Sequence, residues 1–201
     1  MARSPSFAGV ILAAGGSSRM GTDKALLSWQ GGSFLSGAIE MLKPHVELII
    51  VVAGKNANAL APIVNTYAAR LTENHHPEHG QFSSLQVGLQ AVLNQGRDTA
   101  IVALVDRPPA NTRTVAHLKQ EFLRVISDDQ WAVVPEHDGR HGHPIIVGRE
   151  LIEHFLRAPA QSTARDVEHT HQQRIVYVHV ADAHVIQNVD TPEEYQNLSG
   201  R

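Results

Sequence analysis

The chain has no cysteine among its 201 residues. Disulfide frameworks and thiol catalysis are therefore excluded, and the absence fits a reducing compartment. Positive charge is not in excess either. Seventeen lysines and arginines stand against 20 aspartates and glutamates, a formal net charge of −3 with a pI near 6.5. A broad nucleic-acid footprint is thus not expected, whereas a local basic pocket is compatible with these numbers. No apolar run approaches the roughly 18 residues that a membrane span needs. The polar lead over residues 1–6 carries no separate secretory apolar segment. A soluble cytoplasmic protein, with neither membrane nor nucleic acid as a partner, is the expectation. No linker, low-complexity segment or useful repeat interrupts the chain. One domain over residues 1–201 is expected, large enough to bury a sizeable core at 42% hydrophobic and 18% charged residues. Histidine is abundant at 13 residues, enough for charge and solubility to change around pH 6–7.

The chain is organised around residues 10–24. An apolar run from Phe7 to Ala14 ends abruptly at Gly15-Gly16, as a buried parallel strand entering a tight loop does. The loop places Gly15, Gly16, Ser17, Ser18 and Gly21 within seven residues, with Arg19 and Lys24 beside them. Glycines let backbone N–H groups approach a ligand, serines add donors, and two cations favour phosphate. It is not a Walker A loop, because Thr22-Asp23 rather than Lys-Ser/Thr follows Gly21. Nor do its glycines have the Gly-x-Gly-x-x-Gly spacing of a dinucleotide fingerprint, which disfavours a nicotinamide oxidoreductase.

Strand and helix patterns alternate beyond this loop. Helices are expected over Ser33–Leu42, ended by Pro44, and over Ala57–Arg70, with Pro62 inside. Glu47–Val52 reads as a strand. A short strand and loop then lead to a helix opening near Ser83, capped by Ser83 or Ser84. Ala100–Val105 is another buried strand, ending at Asp106-Arg107-Pro108-Pro109. Asn111 caps the helix carrying Val115, Leu118, Phe122 and Val125. Strands follow at Trp131–Pro135, Ile145–Val147 and Arg174–Val180, with helices through Leu151–Leu156 and from Ser162-Thr163. Thr191, Pro192 and Glu194 form a cap, first-position proline and capping-box acid. The expected fold is α/β and Rossmann-like, a mostly parallel sheet with helices on both faces and a site across the strands' carboxyl ends. Asp106 falls at such an end, where a carboxylate is suited to Mg²⁺. His137, His141 and His143 invite a zinc reading, set against the ease with which loops carry solvated histidine.

Leu12, Ala13, Ala14, Gly15, Ser17, Arg19, Met20, Gly21 and Lys24 lie in register with the signature Leu-Ala-(Ala/Gly)-Gly-x-Ser-x-Arg-Met-Gly-x-x-Lys. The chain thereby resembles the MobA-like nucleotidyltransferases. Further motifs match in order: Gly80, Ser83, Ser84, Leu85, Gly88 and Leu89; Asp106 and Pro108; Gly142, His143 and Pro144; Asn188, Asp190, Thr191, Pro192 and Glu193. Ala164-Arg165 is a partial match. Arg107 departs from the more usual Met or Gln, and His141 replaces the usual Arg.

The resemblance implies that the first loop, residues Leu12 to Ser17 with Arg19 and Lys24, wraps a nucleoside triphosphate. Arg19 would hold the outer phosphates and Lys24 the charge on the phosphorus under attack. Gly80, Ser83 and Ser84 would lie against base and ribose, and Asp106 and Asp190 would be the metal carboxylates. Gly142, His143 and Pro144 would face the acceptor, His143 orienting rather than ligating, and Arg107, where this chain departs from the family, would be a further acceptor-facing cation. The implied reaction moves a nucleoside monophosphate onto a phosphorylated acceptor and releases pyrophosphate. Within the family, Leu-Ala-Ala-Gly is more typical of cytidylyltransferases, which favours CTP, Mg²⁺, a molybdopterin acceptor and a molybdoenzyme recipient. Alternatives are a sugar 1-phosphate or another phosphorylated small molecule as acceptor, or a catalytically silent module that hands on a cofactor.

Overall fold

The computed structural model describes residues 4–15, 20–159 and 161–199. Its first strand, β1 (Phe7–Leu12), is buried throughout and sits at the centre of an eight-stranded sheet. A two-strand ribbon, β2 (Ser28–Trp29) and β3 (Gly32–Ser33), precedes α1 (Phe34–Leu42). Ser33 and Ser36 cap α1 reciprocally. Then come β4 (Leu48–Ala53), α2 (Ala57–Thr66), β5 (Arg70–Glu73), α3 (Gln81–Asn94) and β6 (Thr99–Leu104). The second half holds α4 (Thr112–Val125), β7 (Ala132–His137), β8 (Arg140–His141), β9 (Ile145–Gly148) and α5 (Arg149–Arg157). It ends with α6 (Ala164–Thr170), β10 (Ile175–His179) and α7 (Pro192–Ser199).

The sheet order is β10-β7-β9-β6-β1-β4-β5, with β8 paired to β7. Pairs β1–β4, β1–β6, β4–β5 and β7–β10 are parallel, while β9 runs antiparallel between β6 and β7. Side chains alternate between two apolar layers. Ile11, Val51 and Ile101 meet Leu35, Leu60 and Leu118 of α1, α2 and α4 on one face. Val10, Ile50 and Val102 meet Leu85, Leu89 and Phe155 of α3 and α5 on the other. Each such fully buried side chain contributes about 1.5–3 kcal/mol. This is the expected Rossmann-like α/β fold. The chain leaves β1 toward β4 on one side and returns to β6 on the other, so the sheet's switch point lies between β1 and β6. There a crevice opens at the strands' carboxyl ends.

Two expected helix bounds are corrected. The helix expected over 57–70 stops at Thr66, since Ala68 adopts φ +55° and turns the chain into β5. Residues 70–73 are therefore a strand paired with β4. The helix expected to open near Ser83 begins at Gln81, with Gly80 at φ +90° in the cap position and no side-chain cap. A glycine there takes the left-handed backbone that β-substituted residues resist. Other local expectations hold. The Asn111 side chain accepts from Arg113 N at 2.8 Å. Thr163 and Asp166 cap α6 reciprocally. Glu194 Oε2 accepts from Thr191 N at 3.0 Å, and Thr191 Oγ1 accepts from Glu194 N at 3.2 Å, forming the expected capping box.

Candidate active site

The end of β1 is fastened before its glycine loop begins. Ala13 N donates to Val52 O at 2.8 Å. Asn56 Nδ2 reaches both Ala13 O (2.8 Å) and Asp23 Oδ2 (2.6 Å), so one amide ties together the two ends of the loop. Asp23 Oδ1 accepts from Ala25 N at 3.0 Å and caps a short 3-10 turn that begins at Lys24. Gly54 gives the loop room: a Cβ there would stand 3.0 Å from Ala14 O. Gly16, Ser17 and Arg19 lie outside the described residues.

Lys24 Nζ meets Asp190 Oδ1 at 2.6 Å. Asp190 is set in place by α7, because its N–H donates to Glu194 Oε2 at 2.6 Å. Asp106, just beyond β6, is joined to the same segment by Val189 N donating to Asp106 O at 2.8 Å. The structure thus brings Asp106, Lys24 and Asp190 together at the switch point. Burial pushes the Asp106 carboxyl above its ordinary value. Arg107 and Lys24 oppose this, and the Asp190 charge adds to it. Asp106 Oδ1 is buried without a hydrogen-bond partner. An unpaired buried carboxylate oxygen is costly, and a bound cation relieves that cost. The pair Asp106 and Asp190 therefore fits a hard divalent ion.

Beside these residues lies a cavity of about 920 Å³. Leu12, Leu104, Phe82 and Leu85 form part of its apolar surface, and Gly80, Arg107, Arg140, Gly142, His143 and Arg165 also line it. Arg107 Nη1 donates to Val185 O at 2.6 Å. Burial lowers the guanidinium from its ordinary value, with Asp106 opposing. Gly142 N donates to Pro135 O and His143 N to Val185 O, both at 2.8 Å. His143, joined to Pro144 by a cis bond, points a half-buried ring into the cavity, and its Nδ1 is buried without a partner.

The serines of the second motif differ in role. Ser84 is buried and its Oγ accepts from Asn74 Nδ2 at 2.9 Å, so it fixes the approach to α3 rather than facing the crevice. Ser83 accepts from the same amide at 2.9 Å and donates to Gly80 O at 2.8 Å. Asn74 and Asn56 are the scaffold residues that sequence reading missed. Asn56 reaches residues 43 and 33 positions away, and Asn74 reaches serines 9 and 10 positions on, contacts that no helix or strand period marks. The zinc reading of the histidine loop is not supported. His137 Nδ1 lies 2.8 Å from Val180 O, His141 stacks on Tyr177 with centroids 3.9 Å apart, and His143 faces the cavity. Among the described residues, the group of histidines and carboxylates close enough to share a metal is His76, Glu78 and His79, all exposed.

Burial, with the Arg107 charge second, pushes the His143 ring down to about 3. The unfolded ring, near 6.5, takes up a proton that the folded ring refuses across that interval. His143 neutrality thus favours folding fully above about pH 6.5, and this is lost progressively as pH falls toward 3. The slope is at most about 1.4 kcal/mol per pH unit and is reduced by the ring's partial exposure. Thermal unfolding of His143→Gln should therefore fall less steeply than wild type between about pH 7 and pH 5. Parallel curves would contradict this assignment.

A mostly parallel sheet with glycines in the sequence after its first strand and acids at its carboxyl edge has the form of a nucleotide-binding α/β protein. The chain belongs to the MobA-like NTP transferase domain family, whose model matches residues 9–175. It is 28% identical over 195 residues to the molybdenum cofactor cytidylyltransferase of Escherichia coli, covering 92% of each chain. It is 32% identical over 151 residues, 73% of each chain, to the nicotine blue oxidoreductase of Paenarthrobacter nicotinovorans. Among solved structures it superposes on Rv0371c of Mycobacterium tuberculosis with a TM-score of 0.78, at 22% identity over 98% of this chain and 99% of that one. Rv0371c has also been solved as a manganese complex. Among the described residues no helix is long and apolar enough to cross a membrane.

Proposed function

We propose that the chain transfers CMP from CTP to the phosphate of a molybdopterin-type acceptor and releases pyrophosphate. The observation that carries this reading is the meeting of Lys24, Asp190 and Asp106 at the switch point of a MobA-like fold. The reaction is chiefly a matter of positioning and charge. Lys24, fixed by Asp190, would stabilise charge developing at the α-phosphorus, and Arg19 would hold the departing pyrophosphate. Asp106 and Asp190 would hold Mg²⁺ or Mn²⁺, which supplies charge neutralisation to the triphosphate when bound. Arg107 and the 142–144 segment would orient the acceptor for in-line attack. No protein nucleophile is required, and a cysteine-free chain is suited to such a reaction.

The test is pyrophosphate release with each divalent ion, molybdopterin with and without molybdenum, and CTP or GTP. Release with CTP that Lys24→Ala reduces by about a hundredfold or more is expected. Preference for GTP would overturn the base assignment, and turnover only with a sugar 1-phosphate would overturn the acceptor. The nicotine blue oxidoreductase relative favours a second reading, an oxidoreductase on the same fold. Absence of nucleotide turnover with every acceptor would favour that reading.

A further inference from the structure

Glu168 is the residue that the proposed transfer leaves without a task. It lies on α6 and lines the same cavity as Arg107, Arg140, Arg165, His141 and His143. It is the one carboxylate among the described residues lining that cavity. Its side chain is half-buried and has no hydrogen-bond partner among the described residues. An anionic ligand explains the surrounding cations but not an acceptor-only group set among them. The cavity is also lined by the apolar Leu12, Phe82, Leu85, Leu104 and Val134. Its size and lining suit a flat ring system rather than a bare phosphate.

We propose that Glu168 is a specificity-determining residue whose two carboxylate oxygens receive the adjacent N–H donors of an amidine edge on a flat bicyclic heterocycle. The 2-amino-4-oxo face of a pterin is such an edge. Two parallel charge-assisted hydrogen bonds select it over a ring carrying a carbonyl in place of the amino group. The inference rests on the transferase reading for the identity of the acceptor, not for the binding itself.

The ionisation of Glu168 gives the subsite a pH signature. Burial pushes its carboxyl up to about 7, with Arg165 of the same helix opposing. Tyr177 of β10, near enough to feel the Glu168 charge, is raised by burial first and by that charge second. The other charged or titratable groups facing the cavity are Arg107 beyond β6, Arg140 and His141 of β8, His143 of the following loop and His79 before α3. The carboxylate is the form that accepts both donors, so pterin affinity rises with pH through about 7. The sign for stability is opposite. The folded state holds the proton more tightly than the unfolded chain, so the buried charge costs stability increasingly above about pH 4.5.

The experiment is calorimetric binding of 6-hydroxymethylpterin, and of lumazine, which carries a carbonyl where the pterin has its amino group. Wild type and Glu168→Gln are compared across about pH 6–8.5. Wild type should prefer the pterin by about tenfold or more, and Glu168→Gln should lose that preference and its pH dependence. The variant should also melt higher than wild type at about pH 8, which shows that it is folded. Equal binding of both rings by wild type, or an unchanged preference in the variant, would overturn the inference. Transferase turnover with another acceptor and no pterin binding would leave the transferase reading intact and remove this one. Glu168-dependent pterin binding without nucleotide turnover would do the reverse.

Discussion

Replacing Asp106 by asparagine is expected to lower the rate of pyrophosphate release by about a hundred- to a thousandfold while leaving the protein folded. The substitution keeps the shape of the side chain and does not touch the backbone bond from Val189 N to Asp106 O. It removes a charge that burial already disfavours, the main cause that raises the Asp106 carboxyl. A group raised in this way subtracts from stability above its unfolded value, so the variant should melt no lower than wild type near neutral pH. The loss should appear in kcat rather than in the KM for nucleotide if the carboxylate acts on charge developing during transfer. Steady-state kinetics with calorimetry on the same samples checks both halves. A rate within about threefold of wild type would remove Asp106 from the reacting centre.

The second large effect is structural. Alanine at Gly142 would place a Cβ 2.2 Å from Val185 O and 2.6 Å from its carbonyl carbon. These are backbone atoms, so no rotamer change makes room. One segment must move, and with it the bond from Gly142 N to Pro135 O or that from His143 N to Val185 O. Overpacking together with a strained buried hydrogen bond points to a loss of about 3 kcal/mol, or roughly 10 °C in Tm for a domain of this size. The same movement shifts the carbonyl that receives Arg107 Nη1, so Gly142→Ala should also weaken acceptor binding. Urea unfolding measures the first effect. A change below about 0.5 kcal/mol would show that the close approach is not maintained in solution.

The elements that were legible in sequence are those that local chemistry writes. Buried runs such as Phe7–Leu12 and Thr99–Leu104 announced themselves by continuous apolarity. Thr191, Pro192 and Glu194 announced a helix start through side-chain capping. Asp106 was marked by its place at a strand end. The rest depended on partners outside any local period. Nothing near Asn74 tells that its amide will hold Ser83 and Ser84, and nothing near Asn56 tells that it will bridge Ala13 and Asp23. The misplaced start of α3 has a similar origin: two serines offered a cap, yet Gly80 supplied the turn through a backbone angle that composition does not disclose. Likewise β9 reads locally as any short apolar strand, and only the assembled sheet places it antiparallel between β6 and β7.

The ion pair between Lys24 and Asp190 joins residues 166 positions apart. The lysine leaves the ribosome well before its aspartate. By the time β10 is made, every strand of the sheet exists and both apolar layers are available for packing. The bond from Lys24 to Asp190 is still to form, as is that from Val189 N to Asp106 O. Because these two bonds come from residues 189 and 190, the meeting of Lys24, Asp106 and Asp190 can form only once synthesis has run through residue 190.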